Sequence, residues 1–156
     1  MMRSFLVVVV LALGTLAGCK KHIDPSKVEK EITRYLSDKR VVGFTVSCPK
    51  VAVEENATFQ CDIAESDGTR QSYTVTQTSA QGDLSVKFDP VPVDTEIEII
   101  KQVKARIPGA EIKCPRRIMW VRGGESFTCT IAKAKQTKLT VTVDAKGNMT
   151  PSWQAQ

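Results

Sequence analysis

Five cysteines and one histidine have the widest chemical range of any residues in this 156-residue sequence. A thiol can take a lipid, close a disulfide, bind a metal or attack a substrate, and its neighbours decide which. Cys19 follows an uncharged apolar stretch at residues 5–17 (FLVVVVLALGTLA), preceded by the charge of Arg3. The other four, Cys48, Cys61, Cys114 and Cys129, form an even set: Cys48 and Cys114 each precede a proline, and Cys61 and Cys129 each stand two residues after a phenylalanine. Twelve residues lie between Cys48 and Cys61 and fourteen between Cys114 and Cys129, unlike the C-x-x-C spacing of redox-active thiols. His22 is the only histidine and lies three residues from Cys19, so neither a Ser-His-acid nor a Cys-His constellation can be assembled around it. Asp62, Glu65 and Asp67 cluster loosely, with too few oxygen ligands at loop spacing for calcium. Gly123-Gly124 lacks the Lys-Ser/Thr that follows phosphate-cradling glycines. Solvated turns account for both. The expectation is a protein with no catalytic residue, no metal and no cofactor, hence not an enzyme. A hydrolase working through two carboxylates would need a converging acidic pair, and no spacing argues for one.

The elements that position these residues begin at the N-terminus. A charged start, an apolar run and small residues before a cysteine outline an export signal. Thirteen residues at ~1.5 Å rise span ~20 Å, short of a ~30 Å hydrocarbon core, so a membrane-spanning anchor is disfavoured. Leu16-Ala17-Gly18-Cys19 resembles the lipobox of bacterial lipoproteins, which implies diacylglyceryl and palmitate on Cys19 and removal of residues 1–18. Two acyl chains hold a protein on a membrane durably where one does so only reversibly. Residues 19–25 read as a polar tether. Lys20 does not resemble the aspartate that retains lipoproteins at an inner membrane. The expected location is therefore the cell envelope: the outer membrane where there is one, otherwise the outer face of the plasma membrane.

Behind the tether the sequence repeats. Val46-Ser47-Cys48-Pro49-Lys50 recurs as Ile112-Lys113-Cys114-Pro115-Arg116, and Phe59-Gln60-Cys61-Asp62-Ile63-Ala64 as Phe127-Thr128-Cys129-Thr130-Ile131-Ala132. Echoes at Tyr73/Leu139, Gly82/Gly147 and Phe88/Trp153 keep the offset between 65 and 68. Each copy opens with a capping-box pattern, Ser26-x-x-Glu29 and Thr95-x-x-Glu98, that predicts a helix start. Val28, Ile32, Tyr35 and Leu36 share one helical face, as do Ile99, Ile100, Val103 and Ile107. The caps align at an offset of 69 and the apolar faces better at 67 or 68, so the helices differ by one residue in length or rotation. Short Val/Ile/Thr-rich runs follow at 42–48, 51–54, 58–65, 71–77 and 84–88, then at 110–114, 118–122, 126–132, 137–143 and 148–153. Turns are predicted at Glu55-Asn56, Asp67-Gly68, Gly123-Gly124 and Lys146-Gly147. Two prolines at 90–94 suit a stiff linker better than a central strand. The expected fold class is α+β: two tandem repeats, 26–89 and 95–156 around the 90–94 linker, each one helix packed on a four- to five-stranded antiparallel meander with one intra-repeat disulfide. Of the three pairings open to four cysteines, this layout favours Cys48–Cys61 and Cys114–Cys129, which join neighbouring strands.

This repeated unit, a helix followed by a Cys-Pro strand and a Phe-x-Cys strand, resembles a family of bacterial envelope domains known only as domain of unknown function 4333. The resemblance covers residues 28–88 and 97–153 and rests on Cys48-Pro49, Cys61, Cys114-Pro115 and Cys129. It implies secreted or lipid-anchored proteins and no catalytic residue.

Composition agrees with a small globular protein: 42% of residues are hydrophobic, 25% charged, and the net charge is +5. That charge is uneven. Residues 19–94 carry 10 basic and 12 acidic side chains, whereas residues 95–156 carry 11 and 5. Lys113, Arg116, Arg117 and Arg122 flank the Cys114 strand with Met119 and Trp120 among them, a candidate patch for an anionic partner carrying an exposed aromatic. Partners expected on this basis are the membrane, through acylated Cys19, and an envelope protein or glycopolymer; nucleic acid is not expected outside the cytoplasm. The leading function is a non-catalytic binding or scaffold module. The alternative is a protein inhibitor of an envelope enzyme, because tandem disulfide-stapled helix-plus-sheet units resemble the architecture of β-lactamase inhibitory protein. A concave face lined with Trp120, Tyr73 or Trp153 would favour binding or inhibition.

Overall fold

A computed structural model describes residues 21–132, 137–144 and 148–154. The export signal, Cys19 and the Lys146-Gly147 turn lie outside the described residues. The first half runs α1 (Pro25–Asp38), β1 (Phe44–Ser47), β2 (Thr58–Glu65), β3 (Arg70–Gln77) and β4 (Leu84–Lys87). The second runs β5 (Val91–Asp94), a π-helical turn (Glu96–Ile100) continuing into α2 (Lys101–Arg106), then β6 (Glu111–Lys113), β7 (Ile118–Val121), β8 (Ser126–Ala132), β9 (Thr137–Val143) and β10 (Met149–Gln154). The fold is mixed α+β with antiparallel sheets.

Each helix start is capped by an aspartate upstream of the predicted capping-box residue, two positions before Ser26 and one before Thr95. Asp24 caps α1 by accepting from the Ser26 backbone N–H at 3.1 Å, and Pro25 takes the first helical position, where a missing N–H costs nothing. The Ser26 hydroxyl also donates to Asp24, which holds the Asp24 carboxyl below its ordinary range, and Glu29 turns away to accept from the Cys48 backbone N–H at 2.9 Å. In the second half Asp94 accepts from the Glu96 N–H at 3.1 Å, while the Thr95 hydroxyl donates to the Arg116 and Arg117 carbonyls at 2.9 Å. A carboxylate just upstream outcompetes the hydroxyl for the first free amides because it is the stronger acceptor. From Asp24 to the first buried helical residue, Val28, is four residues; from Asp94 to Ile99 it is five. The wider π turn absorbs that extra residue and keeps Ile99 and Val103 on the buried face. It accounts for the one-residue difference between the helices.

The first sheet has the order β1-β2-β3-β4 and the second β10-β9-β8-β6. Alternation buries Phe59, Cys61, Ile63, Tyr73 and Val75 in one, and Phe127, Cys129, Ile131, Leu139 and Val141 in the other, beneath the helices. Disulfides join Cys48 to Cys61 and Cys114 to Cys129, the pairing within each half. Glycine or asparagine takes positive φ at three expected turns, Asn56, Gly68 and Gly124.

Three expectations fail here, for one reason. Residues 51–54 and 118–122 do not join the meanders; each leaves its sheet to pair with the chain that precedes its own helix. Val51 and Val53 hydrogen-bond Ile23 and Lys21 at 2.9 Å around a His22–Ala52 bridge, so Lys21–Ile23 is not a free tether. Likewise β7 pairs with β5, so residues 91–94 form a strand rather than a linker. Thr95 donates to Arg117 at 2.8 Å, and antiparallel alternation then turns the amide positions of 91 and 93 toward β7 and those of 92 and 94 away. Pro92, with no N–H to offer, turns its nitrogen to the edge away from β7, where a strand tolerates proline.

Strand β7 lies between the two cores. Met119 and Val121 pack on the second, and Ile118 and Trp120 on the first. Trp120 joins an aromatic cluster with Tyr35, Tyr73 and Phe88, in which Tyr35 stacks on Phe88 at 3.7 Å and Tyr73 meets Phe88 edge-on at 5.2 Å. The Tyr73 side chain is fully buried and its hydroxyl is the one buried side-chain polar atom without a hydrogen-bond partner among the described residues. Removing that hydroxyl therefore relieves a desolvation cost of about 1–3 kcal/mol. Tyr73→Phe should raise the urea midpoint without changing the slope, and a lower midpoint would show that the hydroxyl is satisfied. Burial also pushes the phenols of both tyrosines, Tyr35 and Tyr73, upward. The folded protein should then show less tyrosinate absorbance near pH ~10 than the unfolded chain. Because the unfolded phenols ionise first, stability should decline as pH rises above that value, and ionisation of the fully buried Tyr73 should appear together with unfolding.

Candidate functional site: the cleft between the halves

The acidic turn and the basic segment that stand apart in sequence meet in space. Glu65 ends β2 and accepts a hydrogen bond from the Trp120 indole Nε1–H. Asp67, in the β2–β3 turn, is fixed by the Thr69 N–H at 2.9 Å and pairs with Arg116. Arg117 turns the other way, toward Asp94 at 3.3 Å and Glu96 at 3.7 Å. Arg122 shares a shallow depression with Asp62 and Arg70, and its backbone N–H donates to Glu125 at 2.8 Å. Lys113 lies on the exposed face of β6. Two of the four expected patch cations are thus engaged inside the chain. Trp120 is not the exposed aromatic of such a patch but a packing residue of the first core, and Tyr73 is wholly interior. Neither lines the cleft between the halves. The side chain of Trp153 lies outside the described residues.

A cleft of about 650 Å³ opens where the halves meet, within the size range of ligand sites, which favour such junctions. Its walls are the C-terminal end of α1 with Asp38, Lys39 and Arg40, the outer edge of β5, and Glu98 and Gln102 of the second helix. The floor is therefore a strand edge whose outward N–H at position 92 is missing because the residue is proline.

Arg40 is set at this mouth by a Schellman stop. Its own N–H donates to Ser37 at 2.9 Å and that of Val41 to Leu36 at 3.0 Å, with Arg40 at φ 61. Glycine is the usual occupant of that conformation, and a side-chain-bearing residue costs about 1 kcal/mol more. Among the described residues neither Lys39 nor Arg40 is ion-paired, so the mouth presents two free cations beside Asp38 and Glu98. No signal in the sequence marked Lys39 and Arg40, since a charged pair after a helix ordinarily reads as a solvated C-terminus. Among the described residues no group of three His, Cys, Asp or Glu is placed to share a metal ion, and no helix is long and apolar enough to cross a membrane.

Residues 6–82 match the family described as a domain of unknown function, DUF4333. That span takes in α1, the Cys48–Cys61 disulfide and the sheet as far as the turn before β4. No curated protein and no solved structure matches the chain.

Proposed function

We propose that this protein is a lipid-anchored component of the cell envelope, built by duplication of one disulfide-stapled unit, that acts as a non-catalytic binding module and receives an anionic envelope component in the cleft between its halves. Support for the duplication comes from the strand registers. Val46↔Ile63 corresponds to Ile112↔Ile131, Cys61↔Tyr73 to Cys129↔Leu139, and Thr76↔Ser85 to Thr142↔Thr150. Each pair is displaced by the offsets at which the sequence motifs recur. Support for the envelope comes from the lipobox-like Leu16–Cys19 segment together with two disulfides, which persist in oxidising compartments.

The observation that carries the binding reading is Arg40: a cation without an ion-pair partner among the described residues, held in a backbone conformation that glycine would adopt at lower cost, at the mouth of the cleft between the halves. Strain of this kind concentrates at functional positions. Arg40→Gly keeps the helix stop and removes the cation, so stability and binding should move in opposite directions. In photo-crosslinking of intact envelopes, the wild-type lipidated protein should capture a partner. Arg40→Gly should capture roughly tenfold less, the worth of one charge-assisted hydrogen bond, while unfolding at a higher midpoint. Undiminished capture by Arg40→Gly would refute the cleft as the site. An intact-mass measurement without acyl mass on Cys19 would refute the anchor.

A further inference from the structure

We infer that the protein stands on the lipid headgroup surface by the end of the first sheet that bears Lys21 and the 54–57 turn, and holds the cleft away from the membrane. This rests on acylation of Cys19. The folded body begins almost at the anchor. Lys21 and Ile23 are paired with Val53 and Val51, Ile23 is buried, and the Lys21 Nζ donates to the Gln81 carbonyl at 3.1 Å. The buried Gln77 fastens the same strip to the sheet. Its Nε2 donates to the Ala52 carbonyl at 3.0 Å, its Oε1 accepts from the Glu54 N–H at 2.8 Å, and its backbone joins Asn56 and Ala57.

Two residues of chain from Cys19 to Lys21 reach at most ~7 Å. The headgroup layer on each side of a bilayer is roughly 5–8 Å deep. A body fixed at Lys21 therefore has its Lys21, His22, Glu55 and Gln81 surface at the headgroups. Charge is not the cause: Lys21 and Lys27 are balanced there by Glu54 and Glu55. The short covalent link is.

The opposite end lies far off. From Thr58, beside the anchored strip, β2 runs seven steps to Glu65, ~23 Å at ~3.3 Å per residue. There Glu65 and Asp67 hold Trp120 and Arg116 of the second half. The helix α1 runs the same way and delivers Lys39 and Arg40 to the cleft ~20 Å from its start.

The test places one fluorophore, through p-azidophenylalanine, either at exposed Glu55 in the near turn or at Val42, 70% exposed at the far end. The lipidated protein is reconstituted in phosphatidylcholine vesicles carrying a headgroup nitroxide, which quenches only at close range. Quenching at residue 55 should exceed that at residue 42 several-fold. Inserting a flexible Gly-Ser linker of about twenty residues between Lys20 and Lys21 should abolish the difference, since such a chain spans ~25 Å. Equal quenching at both sites in protein that carries the acyl mass overturns this inference alone, as does a difference that survives the linker. Absence of acyl mass overturns the anchor reading and this inference with it.

Discussion

Trp120→Ala should cost about 3–5 kcal/mol, the range for truncating a large aromatic in a core, and should split one unfolding transition into two. The reason is its position. Trp120 belongs by chain order to the second half, yet its ring fills the aromatic cluster of the first, within 6.3 Å of Tyr73, while its neighbours Met119 and Val121 remain in the second core. Each core therefore depends on the other through one strand. Surface ion pairs do much less: Arg116 and Asp67 are each more than 40% exposed, and such pairs contribute at most about 1 kcal/mol. Trp120→Phe separates the contributions, because it keeps most of the packing and deletes only the hydrogen bond to Glu65. Its cost should be near 1 kcal/mol. Urea unfolding followed by tyrosine fluorescence, which reports the first half alone, and by far-UV circular dichroism, which reports both, should coincide in the parent and diverge in Trp120→Ala. A loss below 1 kcal/mol with coincident curves would show that the halves are coupled elsewhere.

The second large effect belongs to the disulfides. Replacing Cys48 and Cys61 together by Ala, or Cys114 and Cys129, should cost about 3 kcal/mol through the restored freedom of the unfolded chain. The cysteines of each pair are 13 and 15 residues apart, a difference worth only about 0.1 kcal/mol in loop entropy. Any inequality between the two double variants must then come from packing. Cys61 and Cys129 are both completely buried, so a cavity adds to each loss. In the first half the Cys48 backbone N–H also donates to the Glu29 carboxylate at 2.9 Å, so Glu29 can hold that strand after the sulfurs are gone. The second disulfide is therefore expected to be the costlier to remove. Chemical denaturation of the two double variants decides this, and a greater loss from the first pair would show that Glu29 does not hold the strand.

Much of this architecture is legible without coordinates, because it rests on local periodicity. The period-two alternation in Phe59–Ile63 and Phe127–Ile131 marks one buried face per sheet, and the recurring Cys-Pro and Phe-x-Cys motifs place the sulfurs on adjacent strands of the same half. Four-residue spacing in Val28, Ile32 and Leu36 does the same for α1. What sequence alone leaves undecided is which partner each short strand takes, since hydrogen-bond donors carry no address. Val91–Asp94 reads as a linker because proline is a poor strand residue, and it becomes a strand only because β7 pairs with the edge from which the Pro92 nitrogen points away. One clue was present: Ile118–Val121 is apolar at every position, and an unbroken apolar run signals burial on both faces. Its tertiary meaning is a strand wedged between two cores. The cleft, the pairing of Arg116 with Asp67, and the isolation of Lys39 and Arg40 arise from how the halves dock. The ion pair joins side chains 49 positions apart and the cleft gathers residues from Asp38 to Met149, and only the folded packing brings such residues within reach of one another.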